Sequence, residues 1–322
     1  MGAGLWHGGH MARTKLLLDC DPGLDDALAL LLAHSDPGLE LVAVTTVGGN
    51  VDLASTTRNA LALREYLGFV DVPIAAGAAE PLVRDAENAA HVHGEAGLGS
   101  VRLPAATLPA SDRHAVDVII ETLAAAPGEV HLVATGPLTN IALALAREPR
   151  IAQWAASFVI MGGSFTRGNA TVAAEFNIYA DPEAAAAVFA AGWQVVMVGL
   201  DLTLQAIATP QIVDRMRRLG PLGDDLVAPL ATFWVDPNDA DWSGQAVHDV
   251  CAVAYIARPD LFRSRPARVD VETSGAFTSG MTVVDFAAKE PNAIVPVELD
   301  VAGFWDYVHD AWQLTADGHA NA

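Results

Sequence analysis

This sequence predicts an α/β protein with a doubly wound, mainly parallel central sheet and flanking helices. Three observations carry that expectation. Strand-like and helix-like segments alternate from about residue 15 to residue 200, the pattern of repeated strand–helix–strand units. The strand-like runs end in Gly, Asp, Asn or Thr, which gathers polar groups at the carboxyl edge of the sheet, where open α/β sheets bind ligands. The chain has 322 residues, 52% of them apolar, so it can bury a large core.

Each element has its own signal. Leu16-Leu17-Leu18 reads as a buried strand, and Ala27 to Leu32 as a helix after the Pro22-Gly23 turn. Leu39 to Thr46 is a strand ending at Val47-Gly48-Gly49-Asn50, followed by a helix over Ala54 to Leu67 and a short strand over Val72 to Ala76. Residues 80–112 are rich in Gly, Pro and polar residues and read as a long excursion; such loops in compact domains often carry function. Ala115 to Ala126 is helical, Val130 to Ala134 a strand ending at Thr135-Gly136-Pro137, and Ile141 to Ala146 helical until Pro149. Phe158 to Met161 is a strand ending at Gly162-Gly163, Pro182 to Ala191 a helix with Asp181 as its N-cap, and Val195 to Val198 a strand. Beyond about residue 205 the pattern is more helical, with a late strand pair at Val269 to Glu272 and Met281 to Val284. There is no repeat and no linker, so residues 11–322 read as a single domain. Residues 1–10 differ in character from the rest of the chain and read as an N-terminal extension or cloning remnant.

The formal net charge is -21, and Lys15 and Lys289 are the only lysines. Nucleic acid and anionic membranes reward clustered Lys and Arg, so neither is an expected partner. Two cysteines, Cys20 and Cys251, cannot build a disulfide framework and fit a reducing, cytoplasmic setting. No segment reads as a signal peptide or a membrane span.

The most informative segment is Asp19-Cys20-Asp21-Pro22-Gly23-Leu24-Asp25-Asp26. It sets four carboxylates at the carboxyl end of the first strand. Helix capping accounts for Asp25 or Asp26 but not for Asp19 and Asp21. A hard cation with oxygen ligands would neutralise the cluster. Three further segments are weaker alone. Val247-His248-Asp249-Val250-Cys251 opens a helix, where a His-Asp pair is most often a cap. Asn169 to Asn177 contains Asn169, Glu175 and Asn177, which could bind hydroxyls or form an ordinary polar loop. In His91-Val92-His93-Gly94-Glu95, alternation along an extended segment would put both histidines on one face, as in a zinc pair, although two loop histidines is the simpler reading.

Taken in this order and with these flanks, the segments closely resemble the inosine-uridine preferring nucleoside hydrolases. The resemblance is carried by Asp19 to Ala27, Thr45-Thr46-Val47-Gly48-Gly49-Asn50, His91-Val92-His93-Gly94, Thr135 to Asn140, Met161-Gly162-Gly163, Glu175-Phe176-Asn177, Asp181 to Ala184, His248-Asp249 and Gly280 to Asp285. It runs from about Lys15 into the C-terminal region. The resemblance implies cleavage of the N-glycosidic bond of ribonucleosides to free base and ribose, with a tightly held Ca²⁺ and no organic cofactor. It implies Asp21, Asp26, Asp249 and the carbonyl of Thr135 as calcium ligands, with ribose hydroxyls and a water completing the shell. Asp25, Asn50 and Asn177 would contact the ribose, Asn169 and Glu175 the 5′-hydroxyl, Met161 the sugar and His93 the base. Asp21 would act as general base toward water, and His248 as the proton donor to the leaving base. Dimers or tetramers are implied as well.

One stretch departs from the pattern. Members that favour inosine carry tyrosines on the helix before the His-Asp pair, whereas Thr232 to Trp242 holds Phe233, Trp234 and Trp242 and no tyrosine. The preferred base is therefore open. Two rival functions remain. One is a phosphatase of the haloacid dehalogenase type with Asp19 as nucleophile, which would need a lysine near the phosphate. The other is a calcium-dependent nucleoside or ribose binding protein without turnover, for which His248 would have no purpose.

Overall fold

The structure is a computed structural model in which residues 13–229 and 244–319 are described. Strand β1 (Thr14–Cys20) is buried over its last five residues. It runs parallel to both β2 (Leu39–Thr46) and β4 (Val130–Ala134). A strand covered on both faces reads as a continuous apolar run, which is why these boundaries follow the sequence. The sheet continues through β3 (Ile74–Ala76) beside β2, and through β5 (Ser157–Met161) and β6 (Val195–Val198) beyond β4. Two strands, β9 (Phe262–Val271) and β10 (Thr282–Asp285), pair antiparallel. A further strand, β11 (Ala293–Leu299), lies parallel to β6 and antiparallel to β9. Among the described residues the sheet has nine strands in the order β10-β9-β11-β6-β5-β4-β1-β2-β3. A separate small pair joins β7 (Ile207–Ala208) and β8 (Gln245–Ala246).

Helices cover both faces. On one lie α1 (Leu24–Ser35), α2 (Leu53–Leu67), α11 (Asp249–Ala257) and α12 (Val301–His319), whose Leu28, Leu63, Val253 and Trp312 share one core. On the other lie α4 (Ala115–Ala125), α5 (Thr139–Arg147) and α8 (Pro182–Phe189), which bury Ile119, Ile141 and Val188. Helix α1 is apolar almost all round because it packs on α2, α11 and α12 as well as on the sheet. Shorter helices are α3 (Ala90–His93), α6 (Ile151–Trp154), α7 (Phe176–Ala180), α9 (Leu200–Thr203) and α10 (Pro210–Arg217). The Asp52 side chain caps α2 by accepting from Ser55 N, and Asp181 caps α8 by accepting from Ala184 N.

Strand order reverses at β1, with β2 and β3 on one side and β4 to β6 on the other. The crevice outside β1 and β4 is the switch point at which doubly wound sheets bind ligands. The excursion after β3 is irregular apart from α3, and it is tied down along its length. Leu82 N donates to Asp181, Arg84 pairs with Glu183 at 2.8 Å and bonds Ser279, and Arg64 donates to Leu108 O. Among the described residues, no helix is long and apolar enough to cross a membrane.

Candidate active site

The turn between β1 and α1 is folded around its own carboxylates. Asp26 accepts from the backbone N–H of Gly23 at 3.1 Å and of Asp21 at 3.3 Å, and from Thr135 Oγ1 at 2.9 Å. Asp21 Oδ2 accepts from Asn50 N at 2.7 Å, and Asn50 Nδ2 donates to Asp21 O and to Asp26. Glycine is required on either side of Asp21: a Cβ at Gly49 would lie 2.1 Å from Asp21 Oδ2, and one at Gly136 would lie 2.8 Å from Oδ1. The strand ends of β2 and β4 thus close on Asp21 from two directions.

Asp19 has a different place. It is fully buried, and its Oδ1 accepts from Thr45 Oγ1 at 2.6 Å and Asn140 Nδ2 at 2.8 Å. Asn140 also donates to Thr46 O and accepts from Ala78 N, so one side chain joins the ends of β1, β2 and β3. Asn140→Ala should lower unfolding stability by about 2 kcal/mol, because buried groups are left unpaired; an unchanged denaturation midpoint would remove this role.

The second half of the site arrives from the far end of the chain. Asp25 Oδ2 accepts from the backbone N–H of both His248 and Asp249, which fastens the start of α1 to the start of α11. His248 Nδ1 lies 2.7 Å from Thr203 Oγ1. Burial pushes this imidazole down to about 4, so it is neutral at pH 7. His93 shares that direction, also reaching about 4, chiefly through burial, and its Nδ1 accepts from Leu24 N at 3.2 Å. His91 and His93 sit in one helical turn, not in an extended segment. Residues two apart on a helix do not share a face, so the zinc-pair geometry is absent.

The third wall comes from β5 and α7. Glu175 is buried and accepts from Gly163 N, Asn177 N and Ile178 N. Asn177 Nδ2 donates to Thr135 O at 2.8 Å and Met161 O at 3.0 Å. Asn169 is exposed and accepts from Phe176 N through Oδ1. Asp25, Asn50, His93, Thr135, Met161, Asn169, Glu175, Asn177, His248 and Asp249 all line one cavity of about 250 Å³. Asp21 and Asp26 are fully buried behind this lining, bonded to Asn50 and Thr135 of the cavity wall.

Burial dominates the electrostatics. It raises Asp21 and Asp249 well above the usual carboxylate range, and Asp26 adds repulsion to both. It raises Asp25 and Asp26 to about 6, and Asp19 and Glu175 to about 7. What chiefly offsets these shifts is backbone N–H donors, at Asp21, Asp25 and Asp26, with the Thr135 hydroxyl at Asp26. Asp21 Oδ1 is buried and has no hydrogen-bond partner among the described residues. An orphaned carboxylate oxygen among repelling carboxylates is a donor set for a hard cation. Among the described residues, no three His, Cys, Asp or Glu side chains stand together as a finished metal cage. Calcium also takes carbonyl and hydroxyl oxygens readily, and Thr135, whose hydroxyl donates to Asp26, lines the cavity. The residues therefore fit such an ion.

The phosphatase reading does not survive. Asp19 is sealed inside the sheet, and Lys15 sits at the opposite end of β1 in an ion pair with Glu129 at 2.7 Å. Cys20 and Cys251 are buried packing residues. Phe233, Trp234 and Trp242, and the N-terminal extension, lie outside the described residues. Sequence reasoning missed Thr203 as the partner of His248, and the apolar residues of α10 and α12 that line the same cavity. No motif marks them.

A parallel sheet that converges on a buried carboxylate cluster at its switch point defines an α/β protein with a carboxylate-rich cleft. Residues 16–306 match the family described as inosine-uridine preferring nucleoside hydrolase, and the chain belongs to that family. It is similar to the inosine-uridine preferring nucleoside hydrolase of Leishmania major, with 46% identity over 94% of this chain and 98% of the relative. It is also similar to the non-specific ribonucleoside hydrolase RihC of Escherichia coli, with 46% identity over 94% of this chain and 100% of the relative. Among solved structures, it resembles a purine-preferring ribonucleoside hydrolase from Gardnerella vaginalis, with a TM-score of 0.88, 34% identity, and 94% and 99% of the two chains covered.

Proposed function

We propose that this nucleoside hydrolase uses Ca²⁺ to cleave the N-glycosidic bond of purine or pyrimidine ribonucleosides, releasing free base and ribose. The observation that carries the cation is the orphaned Asp21 Oδ1 amid carboxylates that burial and mutual repulsion hold above their usual range. Asp21, Asp26, Asp249 and the Thr135 carbonyl would hold the ion. Once bound, it would neutralise the cluster and polarise the oxygens it coordinates.

The remaining work falls to the chain. Asp25, Asn50 and Asn177 bind the ribose hydroxyls, and Asn169 and Glu175 the 5′-hydroxyl. Met161 packs beside the sugar and His93 contacts the base. Asp21 accepts a proton from the attacking water. The carboxylates stabilise positive charge developing at the anomeric carbon. His248 donates a proton to the departing base as negative charge grows there. The names of the relatives span inosine-uridine preferring, non-specific and purine-preferring enzymes, so the base range is left as purine or pyrimidine. The same reading takes residues 11–322 as one domain, assembled as a homo-oligomer in the cytoplasm.

The test is ribose release, by reducing-sugar assay, from inosine, adenosine, guanosine, uridine and cytidine before and after calcium removal. Release should fall at least about 100-fold on chelation and return on adding Ca²⁺. Binding without release from any nucleoside would favour the binding-protein reading instead.

A further inference from the structure

His248 is held at two points. Its backbone N–H donates to Asp25, and its Nδ1 lies 2.7 Å from Thr203 Oγ1. Thr203 ends the single turn α9, which follows the carboxyl end of β6, and it is fully buried. His248 lines the site cavity and Thr203 does not. The ring therefore turns Nδ1 into the protein and leaves Nε2 as the nitrogen for the cavity.

Which nitrogen carries the proton follows from the hydroxyl. The common acceptor for a threonine hydroxyl in a helix is the carbonyl one turn back. Here that carbonyl, Gly199 O, is taken by the backbone N–H of Leu202 and Thr203. Among the described residues, His248 Nδ1 is the one hydrogen-bond partner of Thr203 Oγ1. A proton on Nδ1, in a neutral or a charged ring, would make the hydroxyl an acceptor and orphan its own proton. Thr203 is 0% exposed, so that proton would have no solvent to meet, and a buried donor without a partner is costly. The hydroxyl therefore donates, Nδ1 accepts, and the ring proton sits on Nε2. His93 reaches the same form by another route. Its Nδ1 lies 3.2 Å from the backbone N–H of Leu24. An amide N–H can only donate, so the proton of a neutral His93 is also on Nε2.

We propose that Thr203 is a positioning residue whose hydroxyl fixes His248 as the Nε2–H tautomer, so that the ring meets the leaving base as a hydrogen-bond donor. The inference rests on the nucleoside hydrolase reading, in which His248 faces the departing base. Thr203 itself touches no substrate and moves no proton. It sets which nitrogen carries the proton, the task a buried carboxylate performs for the histidine of a serine protease triad. Without the hydroxyl both tautomers become populated. The Nδ1–H form would turn a lone pair toward a base that is gaining negative charge, which slows the reaction and hardly alters binding of the intact nucleoside.

The first readout is the nitrogen NMR spectrum of the calcium-loaded protein labelled at histidine, with His248 assigned by its loss in His248→Ala. Protonated and unprotonated ring nitrogens resonate far apart. The parent should show Nδ1 of His248 unprotonated and Nε2 protonated. Thr203→Val keeps the shape and removes the hydroxyl. It should draw the two His248 signals together while those of His93 stay in place. On inosine this variant should lose about tenfold in kcat, the scale of one hydrogen bond to a group gaining charge, with KM within about twofold. On p-nitrophenyl riboside, kcat should hold within about twofold on the same reasoning. Thr203→Ser should restore both the spectrum and the rate. A parent spectrum with the proton on Nδ1 overturns the proposal, as does an unmoved His248 spectrum in Thr203→Val. Equal losses on the two substrates would make Thr203 a packing residue and overturn it too. Should Thr203→Val not fold, Thr203→Ala takes its place, and the parent spectrum still decides the tautomer. If the parent releases ribose from no nucleoside, the catalytic reading fails, and the spectra still decide what Thr203 does to the ring.

Discussion

Asp21→Ala should abolish bound calcium and lower kcat/KM on the best nucleoside by at least about 10³-fold. On the proposed reading Asp21 would do two things at once, hold the cation and take a proton from water. Its surroundings explain how it can do both. Oδ2 is held by Asn50 N at 2.7 Å, and Oδ1 is left without a partner among the described residues. The carboxylate is thus oriented by one oxygen and available at the other. Asp21→Asn separates the two tasks, because the amide keeps an oxygen for coordination and loses the basic site. Calcium content by elemental analysis, measured beside kcat, distinguishes the outcomes. Full activity in either variant would refute the assignment.

The same variants test whether the site is held against folding. Asp21 repels Asp26, and burial disfavours its charge. Removing it should therefore leave the metal-free protein at least as stable as the parent, even though function is lost. The parent should gain stability on adding Ca²⁺, since a ligand that binds only the folded state stabilises it by mass action. Asp21→Asn should gain little. A metal-free variant that unfolds well below the metal-free parent would mean that Asp21 is a structural keystone, and would sink the idea of stored repulsion.

How far the sequence could be read depended on what each element packs against. β6 is buried throughout, and β2 and β4 are buried but for Glu40, Val42 and His131, so all three appear as mainly apolar runs with polar stops. β11 does not: Pro296 interrupts it, and its pairing with β9 shifts register between Pro296 and Glu298. The first half of β9 carries Arg263, Arg265 and Pro266, and reads as a polar connection because it lies near the sheet edge. The acidic loop was legible because four carboxylates at one strand end have no inexpensive structural explanation. The bond from Asp25 to the start of α11, across more than two hundred residues, is visible only in the fold. Trp305 and Trp312, seven residues apart on α12, have the spacing of ordinary core residues, so nothing in the pattern separates cavity lining from packing.

His248→Ala should distinguish a proton donor from a packing residue. On inosine we expect kcat/KM to fall by about 10² to 10⁴-fold, the usual range for losing a general acid. On p-nitrophenyl riboside, whose phenolate departs without a proton, the loss should stay within about threefold on the same reasoning. The control is built into the geometry. The contact that fastens α11 to α1 uses the backbone N–H of His248 and Asp249, not the imidazole, so truncating the side chain leaves that joint and the neighbouring carboxylates in place. Burial keeps the imidazole neutral at rest, with a value of about 4. The negative charge that grows on a departing purine favours protonation of the ring beside it, so the ring can take up a proton and pass it to the base as the glycosidic bond breaks. The ring's worth should therefore grow with the basicity of the leaving group, and a series of nucleosides ordered by that basicity should lose progressively more rate in His248→Ala. Equal losses across the series, p-nitrophenyl riboside included, would assign His248 to packing against Thr203 and leave the leaving base to be protonated by another group.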